Sequence, residues 1–192
     1  GSMAPVDESR AWLLPIALGD SHLAPCGLVL HPGDHALVAG PPRSGRTTTL
    51  DTIEWSASAA GVETIRVDGR NLDPVALVGN LVRAIDRPVL VLIDDADRVP
   101  DADGVLATLI RTAPPGLHVI AAGRPERLRS RFGDWVSAIR ESGLGVVLRP
   151  DLDLDGDLFG VRLPRCRDAL GPPGRGYLVV DGTAELVQIA SP

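Results

Sequence analysis

Short apolar segments alternate along this chain with longer segments of mixed polarity, and this alternation predicts the order of its secondary structure. Five segments predict strands: 36–39, 62–67, 89–93, 117–122 and 145–148. The third of them, from Val89 to Ile93, has no polar face, which is typical of a strand buried on both sides of a parallel sheet.

Helical segments lie between these strands. They are predicted at 47–60, 73–85, 101–112 and 128–139. In the second, Asp73 is a capping residue and Pro74 takes the first helical position, where its missing N–H costs nothing. Apolar residues then recur at helical spacing, at Val75, Val78, Leu81, Val82 and Ile85. This order predicts an α/β fold with a mostly parallel sheet sandwiched between helices.

The C-terminal part departs from the alternation. Segments 176–180 and 185–189 flank Asp181-Gly182, a dipeptide favoured in tight hairpin turns. They predict a β-hairpin that adds an antiparallel edge to the parallel sheet. Segment 158–163 also has the composition of a strand.

Composition and charge narrow the class of protein. The chain has 192 residues, 44% of them hydrophobic, and a net charge of −6, which argues against direct binding of nucleic acid. Residues 1–10 are interpreted as a tag remnant and flexible N-terminus, and 11–192 as one domain, because no linker or repeat interrupts them. No apolar run approaches the roughly 20 residues of a membrane span. Cys26 and Cys166 have no metal-binding spacing, which favours a reducing compartment.

The strongest chemical signal is a glycine-rich loop between the first of these strands and the first helix. The segment from Gly40 to Thr47 matches G-x-x-x-x-G-K-[ST] at every fixed position except the lysine. Such a loop points backbone N–H groups at a chain of phosphates, and the following helix adds partial positive charge. The candidate nucleotide-binding residues are Gly40, Pro41, Arg43, Ser44, Gly45, Arg46, Thr47 and Thr48. The Thr47 hydroxyl is also a candidate ligand of Mg²⁺.

Arg46 occupies the lysine position of this motif. Arginine keeps the charge but carries a wide planar fork in place of a compact ammonium, so the exchange is not conservative. All 19 basic residues of the chain are arginine, so compositional pressure at a working site is one interpretation. Relaxed selection for catalysis is the other. We expect weak or absent hydrolysis, because phosphoryl transfer depends on close positioning.

Two aspartates end the most apolar strand. An aliphatic run followed by acids is the pattern in which the first acid, Asp94, holds Mg²⁺ through water and the second, Asp95, polarises the attacking water. Asp94 is thus a candidate metal ligand, and Asp95 a candidate catalytic acid that is vestigial if hydrolysis is lost. One strand and one helix fit between the two motifs, as in the RecA-like branch of P-loop proteins.

Two further charged patterns carry less weight. Arg124, Arg127, Arg129 and Arg131 fit the solvated face of a helix, or alternatively an arginine finger or a contact between domains. The segment from Asp151 to Gly156 imitates the start of a calcium-binding loop. Its twelfth position is Arg162, where a bidentate glutamate is required, so we do not interpret it as a calcium site.

The order of these motifs resembles that of the FtsK/SpoIIIE-type ATPases, and most closely the last ATPase domain of the EccC proteins of type VII (ESX) secretion. The similarity extends from about Ala11 to Ala190 and includes the degenerate phosphate loop and the paired aspartates. The other matching segments are 14–19, 23–25, 121–125, 133–135, 155–160, 163–165, 173–177 and 186–190. The abundance of Arg, Ala, Gly and Pro is also typical of actinobacteria with GC-rich genomes.

The resemblance implies a division of labour. EccC-like proteins are membrane-anchored motors with three ATPase domains in tandem, and the last binds the C-terminal export signal of EsxB-like (WXG family) substrates. For this chain it implies a RecA-like three-layer sandwich, weakly bound or absent ATP and Mg²⁺, and two partners: an EsxB-like tail and neighbouring ATPase domains. It also implies a cytoplasmic location at the inner face of the membrane. The departure at Arg46 puts hydrolysis in doubt, but not the fold or peptide binding.

Two other functions compete with this interpretation. A catalytically active FtsK-type ATPase or DNA translocase is one, and the net charge of −6 and the absent lysine count against it. A nucleotide-free scaffold is the other. The sequence assigns no peptide groove, although an apolar stretch formed by Leu152, Leu154, Leu158 and Phe159 is a candidate that is more typical of a core strand.

Overall fold

The computed structural model describes residues 11–83, 87–131, 133–166 and 171–191, and one nine-stranded sheet passes through them. The strands are β1 (Trp12–Gly19), β2 (Pro25–Leu30), β3 (Ala36–Ala39), β4 (Glu63–Asp68), β5 (Val89–Asp94), β6 (Leu117–Gly123), β7 (Gly145–Leu148), β8 (Arg175–Val180) and β9 (Thr183–Ile189). The helices are α1 (Arg46–Ala59), α2 (Pro74–Arg83), α3 (Val105–Arg111), α4 (Pro125–Arg129) and α5 (Trp135–Arg140). Among the described residues, no helix is long and apolar enough to cross a membrane.

Five adjacent strands form the parallel half of the sheet, in the order β7-β3-β6-β5-β4. The strand that precedes the glycine-rich loop is β3, and the strand that ends in the paired aspartates is β5. Strand β6 lies between them, whereas β4, which separates them in sequence, is at the edge of the sheet. This order places the ends of β3, β6 and β5 side by side, which is the arrangement expected of a RecA-like P-loop fold.

The antiparallel half of the sheet is larger than the predicted hairpin. Strands β8 and β9 pair as predicted, and Asp181 and Gly182 both have positive φ angles, of 50° and 72°, as a tight hairpin turn requires. Strand β1 then pairs with β9, and β2 pairs with β1. The two N-terminal strands therefore extend the sheet beyond the C-terminal hairpin.

Apolar side chains on the two faces of the sheet form two separate cores. Along β5, Val89, Val91 and Ile93 enter one core, and Leu90 and Leu92 enter the other. Helix α1 packs on the second face, whereas α2, α3, α4 and α5 contribute to the first. The predicted three-layer α/β class is confirmed, and burial on both faces explains why β5 lacks polar residues.

Two helix boundaries differ from the prediction. The segment 128–139 forms two helices, because Gly133 has a φ angle of +71° and the side chain of Asp134 accepts hydrogen bonds from the N–H groups of Val136 and Ser137, which starts a new helix. Helix α3 begins only at Val105. The residues before it form a turn in which Asp101 caps the helix instead of belonging to it.

One further prediction, of a strand in the C-terminal part, is wrong. Segment 158–163 is not a strand: residues 155–158 form a 3-10 turn, and Leu158, Phe159 and Leu163 enter the core from loop positions. On α2, Val75 is exposed, while Leu77 and Leu81 are buried. Of the apolar residues that predicted α2, Ile85 and the side chain of Val82 lie outside the described residues.

Candidate nucleotide site

The glycine-rich loop connects β3 to α1 at the carboxyl edge of the sheet. Gly45 has a φ angle of +102°, which favours glycine, and a Cβ atom there would lie 2.8 Å from the backbone nitrogen of Gly174. A Cβ atom on Gly40 would lie 2.4 Å from the Oγ of Ser44. Gly45 is therefore required by its close approach to backbone, whereas the closest atom at Gly40 belongs to a side chain. Gly174 donates a hydrogen bond to the Ser44 carbonyl over 2.7 Å.

Two polar atoms of this loop are buried without a hydrogen-bond partner among the described residues. They are the Oγ of Ser44 and the Nη1 of Arg46. Buried polar groups in native proteins are nearly always hydrogen-bonded, so such atoms indicate a place for a polar ligand. Phosphate oxygens accept hydrogen bonds from both groups, and the loop therefore fits the phosphates of a nucleotide.

The candidate metal ligands lie together. The Oγ1 of Thr47 is 3.0 Å from the Oδ2 of Asp94, to which it donates a hydrogen bond. The other carboxylate oxygen of Asp94 accepts the backbone N–H of Asp95 over 2.9 Å. A hydroxyl and a carboxylate are the oxygen ligands that Mg²⁺ prefers, so these residues fit Mg²⁺ as well.

The second aspartate is engaged by arginines. The Nη2 of Arg46 lies 3.4 Å from the Oδ1 of Asp95, and the side chains are only 13% and 12% exposed. The Oδ2 of Asp95 accepts a hydrogen bond from the Nε of Arg70 over 2.7 Å, and the Nη2 of Arg70 forms an ion pair with the same oxygen at 2.6 Å. Hydrogen bonding with Asp95 raises the pKa of Arg70 further above its ordinary value. The residue that replaces the lysine is thus ion-paired with the candidate catalytic acid.

Sequence reasoning missed Arg70. It follows the end of β4 by two residues, and β4 pairs in parallel with β5, so that Asp68 lies opposite Asp94. The carboxyl ends of neighbouring parallel strands meet at one edge of a sheet. This general rule could have indicated that a residue just after β4 lies near the aspartates that follow β5. What the sequence lacked was the information that β4 and β5 are neighbours.

The remaining candidate nucleotide-binding residues surround the same loop. Arg43 has a φ angle of +62° and is exposed, as are Thr47 and Thr48, while Pro41 is half-buried. The backbone of Ser44 closes a turn by donating to the Pro41 carbonyl over 3.3 Å. The structure therefore brings all eight loop residues, Asp94 and Asp95 to one edge of the sheet.

The arginines of the cluster after β6 are exposed or half-buried, and three of them form ion pairs within the chain. Arg127 is 3.4 Å from the buried carboxylate of Asp97, and Arg129 pairs with Asp155. Arg131 pairs with Asp134 and also donates to the Val99 carbonyl. The backbone N–H of Arg124 donates to Asp97 over 3.2 Å. Three of the four guanidinium groups thus have acidic partners within the chain, and the solvated face, the arginine finger and the contact between domains stay predictions for this cluster.

The acidic segment 151–156 is explained by packing. Asp155 is buried, and its Oδ2 accepts the backbone N–H of Asp151 over 2.8 Å. Burial raises the pKa of Asp155, and the ion pair with Arg129 opposes that shift. Asp155 therefore joins the loop to α4, which explains the acid at this position without a bound ion.

The structure buries part of the apolar stretch that was the candidate peptide groove. Leu158 and Phe159 are buried, so they cannot line a groove, whereas Leu154 is exposed and Leu152 is half-buried. An open cavity of about 490 Å³ lies nearby. Its apolar and aromatic lining residues are Pro164, Cys166, Tyr177, Ala184 and Leu186, and its polar ones are Ser21, His22, Thr183 and Glu185. A second cavity, of about 630 Å³, shares Pro164 with it.

No protein-family model and no curated protein matches the sequence. Solved structures match the fold. The "EssC (ATPases 2 and 3)" structure from Geobacillus thermodenitrificans has a TM-score of 0.74 at 17% identity, covering 97% of this chain and 42% of that one. The Thermomonospora curvata EccC fragment "(ATPases 2 and 3) in complex with a signal sequence peptide" has a TM-score of 0.72 at 20% identity, covering 99% and 42%.

A third structure, described only as "ATPase", has a TM-score of 0.72 at 22% identity and covers 93% of this chain and 87% of that one. The chain thus spans about two fifths of each of the secretion ATPase fragments and most of the third protein. Its fold is similar to that of the EccC and EssC ATPase domains, and the likeness includes the antiparallel half of the sheet because it extends over nearly the whole chain.

Proposed function

We propose that this chain is the terminal ATPase-like domain of a type VII secretion motor. In this proposal, residues 11–192 form one domain that recognises the C-terminal export signal of an EsxB-like substrate and retains a degenerate nucleotide site. The observation that carries the proposal is the match over 99% of the chain to an EccC fragment with ATPases 2 and 3 and a signal sequence peptide. Neighbouring ATPase domains of the same motor are the second proposed partner.

The nucleotide site supports weak binding of ATP. The loop amides, the Ser44 hydroxyl and the free end of Arg46 would hold the phosphates, and Thr47 and Asp94 would hold Mg²⁺. When bound, Mg²⁺ supplies positive charge that neutralises charge developing on the phosphates. Arg46 binds phosphate only with the part of its guanidinium that Asp95 does not occupy. Slow or absent hydrolysis follows, because Asp95 is engaged by arginines on both oxygens.

ATP titration tests the nucleotide part of the proposal. We expect calorimetry to detect ATP binding that weakens in Arg46→Gln, because that change removes the charged donor, while phosphate release stays at background. Arg87→Gln is the matched control, since the one ion pair of Arg87 within the described part of the chain is an exposed 3.9 Å contact with Glu63. Turnover that Asp95→Asn abolishes would instead indicate an active ATPase. Absence of binding at millimolar ATP would favour the scaffold.

The cavity beside β9 supports peptide binding. Five of its nine lining residues are apolar or aromatic, and its mouth is open, so apolar anchors of an amphipathic tail can enter it. Tyr177 is fixed there, because its hydroxyl donates to the Pro164 carbonyl over 2.7 Å. A wall that is already ordered lowers the entropic cost of binding a flexible tail.

A peptide titration tests this role. A synthetic C-terminal tail of an EsxB-like protein should bind the isolated chain with a Kd below about 1 mM, which corresponds to about 4 kcal/mol. Ala184→Arg should abolish the binding by filling the cavity, whereas Val75→Arg, at an exposed aliphatic position of α2, should leave it unchanged. Equal affinity in both variants would place the peptide elsewhere, and no binding by the unaltered chain would refute the recognition role.

A further inference from the structure

Three arginines contact the carboxylate of Asp95. Arg46 reaches its Oδ1 at 3.4 Å, and Arg70 reaches its Oδ2 with two nitrogens, at 2.7 Å and 2.6 Å. The Nε of Arg98 is a third contact, at 3.9 Å from Oδ2. Three guanidinium groups thus contact the Asp95 carboxylate, and the carboxylates of Asp68 and Asp94 add negative charge near Arg70.

The backbone fixes both Asp95 and Arg70. Asp95 has a φ angle of +48°, in the left-handed region that non-glycine residues rarely adopt. Gly69 packs against it so closely that a Cβ atom there would lie 2.5 Å from the Asp95 carbonyl oxygen, and its N–H donates to the Asp94 carbonyl over 2.7 Å. Arg70 follows, and its backbone N–H is held by the Asp68 carboxylate at 3.0 Å. The backbone therefore fixes where the side chains of Asp95 and Arg70 begin, so their contact does not depend on side-chain rotamers alone.

Arg46 faces two anionic partners with one guanidinium group. Its Nη2 is directed at Asp95, and its buried Nη1 has no partner among the described residues. Carboxylates and phosphates both bind a guanidinium through its planar fork, so they compete for it. The strength of the Asp95–Arg46 contact therefore controls how much of Arg46 remains for a phosphate.

We infer that Arg70 is a positioning residue for nucleotide binding: it satisfies the Asp95 carboxylate and thereby keeps Arg46 available to phosphate. The inference rests on the proposed nucleotide binding. Without Arg70, Asp95 would depend on Arg46 and the more distant Arg98, so it would draw Arg46 away from the loop. Without the charge of Asp95, Arg46 would be free whether or not Arg70 is present.

A double-mutant cycle with Mg²⁺-free ATP tests the inference, because EDTA removes any contribution of metal bound at Asp94. Calorimetry on the unaltered chain, Arg70→Gln, Asp95→Asn and the double variant gives the four affinities. We expect Asp95→Asn to tighten ATP binding about tenfold and Arg70→Gln to weaken it about threefold or more, in the range of partly buried ion pairs. In the Asp95→Asn background, Arg70→Gln should have almost no effect.

The outcomes distinguish a failure of this inference from a failure of the proposed nucleotide binding. Equal weakening by Arg70→Gln in both backgrounds would show that Arg70 acts on phosphate independently of Asp95, and would overturn the inference alone. Unchanged or weaker binding by Asp95→Asn would overturn it as well. No ATP binding by any of the four proteins would overturn both the inference and nucleotide binding. Arg87→Gln, which removes an arginine from an exposed pair, controls for net charge and should change nothing.

Discussion

At the scale of single residues, two buried histidines hold the start of β3 to the neighbouring strand. The Nδ1 of His35 accepts the backbone N–H of Val119 over 3.0 Å, and its Nε2 lies 3.0 Å from the carbonyl oxygen of Ile110. These contacts require a neutral ring with its proton on Nε2. The Nδ1 of His118 lies 2.7 Å from the Asp34 carbonyl oxygen. In the sequence these histidines are 83 positions apart and carry no signal, because only the pairing of β3 with β6 brings them together.

The pKa of His35 is lowered to about 4, mainly by burial and also by the nearby His118, while the contacts with Ile110 and Asp34 oppose the shift. Burial lowers the pKa of His118 as well. Because the unfolded chain binds these protons more readily, stability is complete above the unfolded pKa of about 6.5 and is lost as the pH falls toward 4. For His35 alone the loss is about 3 kcal/mol.

Urea unfolding at pH 7.5, 6.5, 5.5 and 4.5 measures this loss. His35→Gln should be less stable than the unaltered chain at pH 7.5, since its amide replaces the ring contacts imperfectly. It should also lose less stability between pH 6.5 and 4.5, because it has no proton to bind. Parallel pH dependences in the two proteins would contradict the assignment.

At the scale of elements, short helices depend on their capping residues. Helix α5 has six residues, too few to be stable by itself, and Asp134 satisfies the N–H groups of Val136 and Ser137 at its start, at 3.0 Å and 3.3 Å. The sequence 128–139 predicted one helix because its apolar spacing continues through the break. A glycine followed by an aspartate, Gly133 and Asp134, is a local signal for the end of one helix and the start of another. The continuous apolar spacing was given more weight than this signal.

Asp134→Ala should lower the free energy of unfolding by about 1 kcal/mol, the usual cost of losing an N-cap. Asp134→Asn should cost less, since an amide oxygen still caps the helix while the pair with Arg131 is lost. The matched control is Asp103→Ala, at an exposed position. Urea denaturation of the three variants gives the comparison, and an equal loss in Asp103→Ala would rule out the capping explanation.

At the scale of the whole molecule, local patterns predicted the parallel half of the sheet and the location of the site. The loop after β3 and the aspartates after β5 were expected together because the ends of parallel strands share one edge. The pairing of β1 with β9 was beyond such reasoning, since it joins residues about 170 positions apart, such as Ala17 and Ile189, through no local signal. The contact of Arg46 with Asp95 was missed for a similar reason: the sequence places both side chains at the edge but does not decide between a phosphate and a carboxylate as the arginine's partner.

The close approach of Gly45 to Gly174 has a consequence for how related sequences can diverge. A side chain at position 45 would collide with the backbone at 174, whose N–H holds the Ser44 carbonyl and whose carbonyl accepts the N–H of Ile189. Substitutions in the phosphate loop and in the segment that leads into the C-terminal hairpin are therefore coupled. A lineage that discards nucleotide binding altogether must still preserve this glycine to keep its last two strands in place, so an intact-looking motif in a distant relative testifies to architecture as much as to ATP.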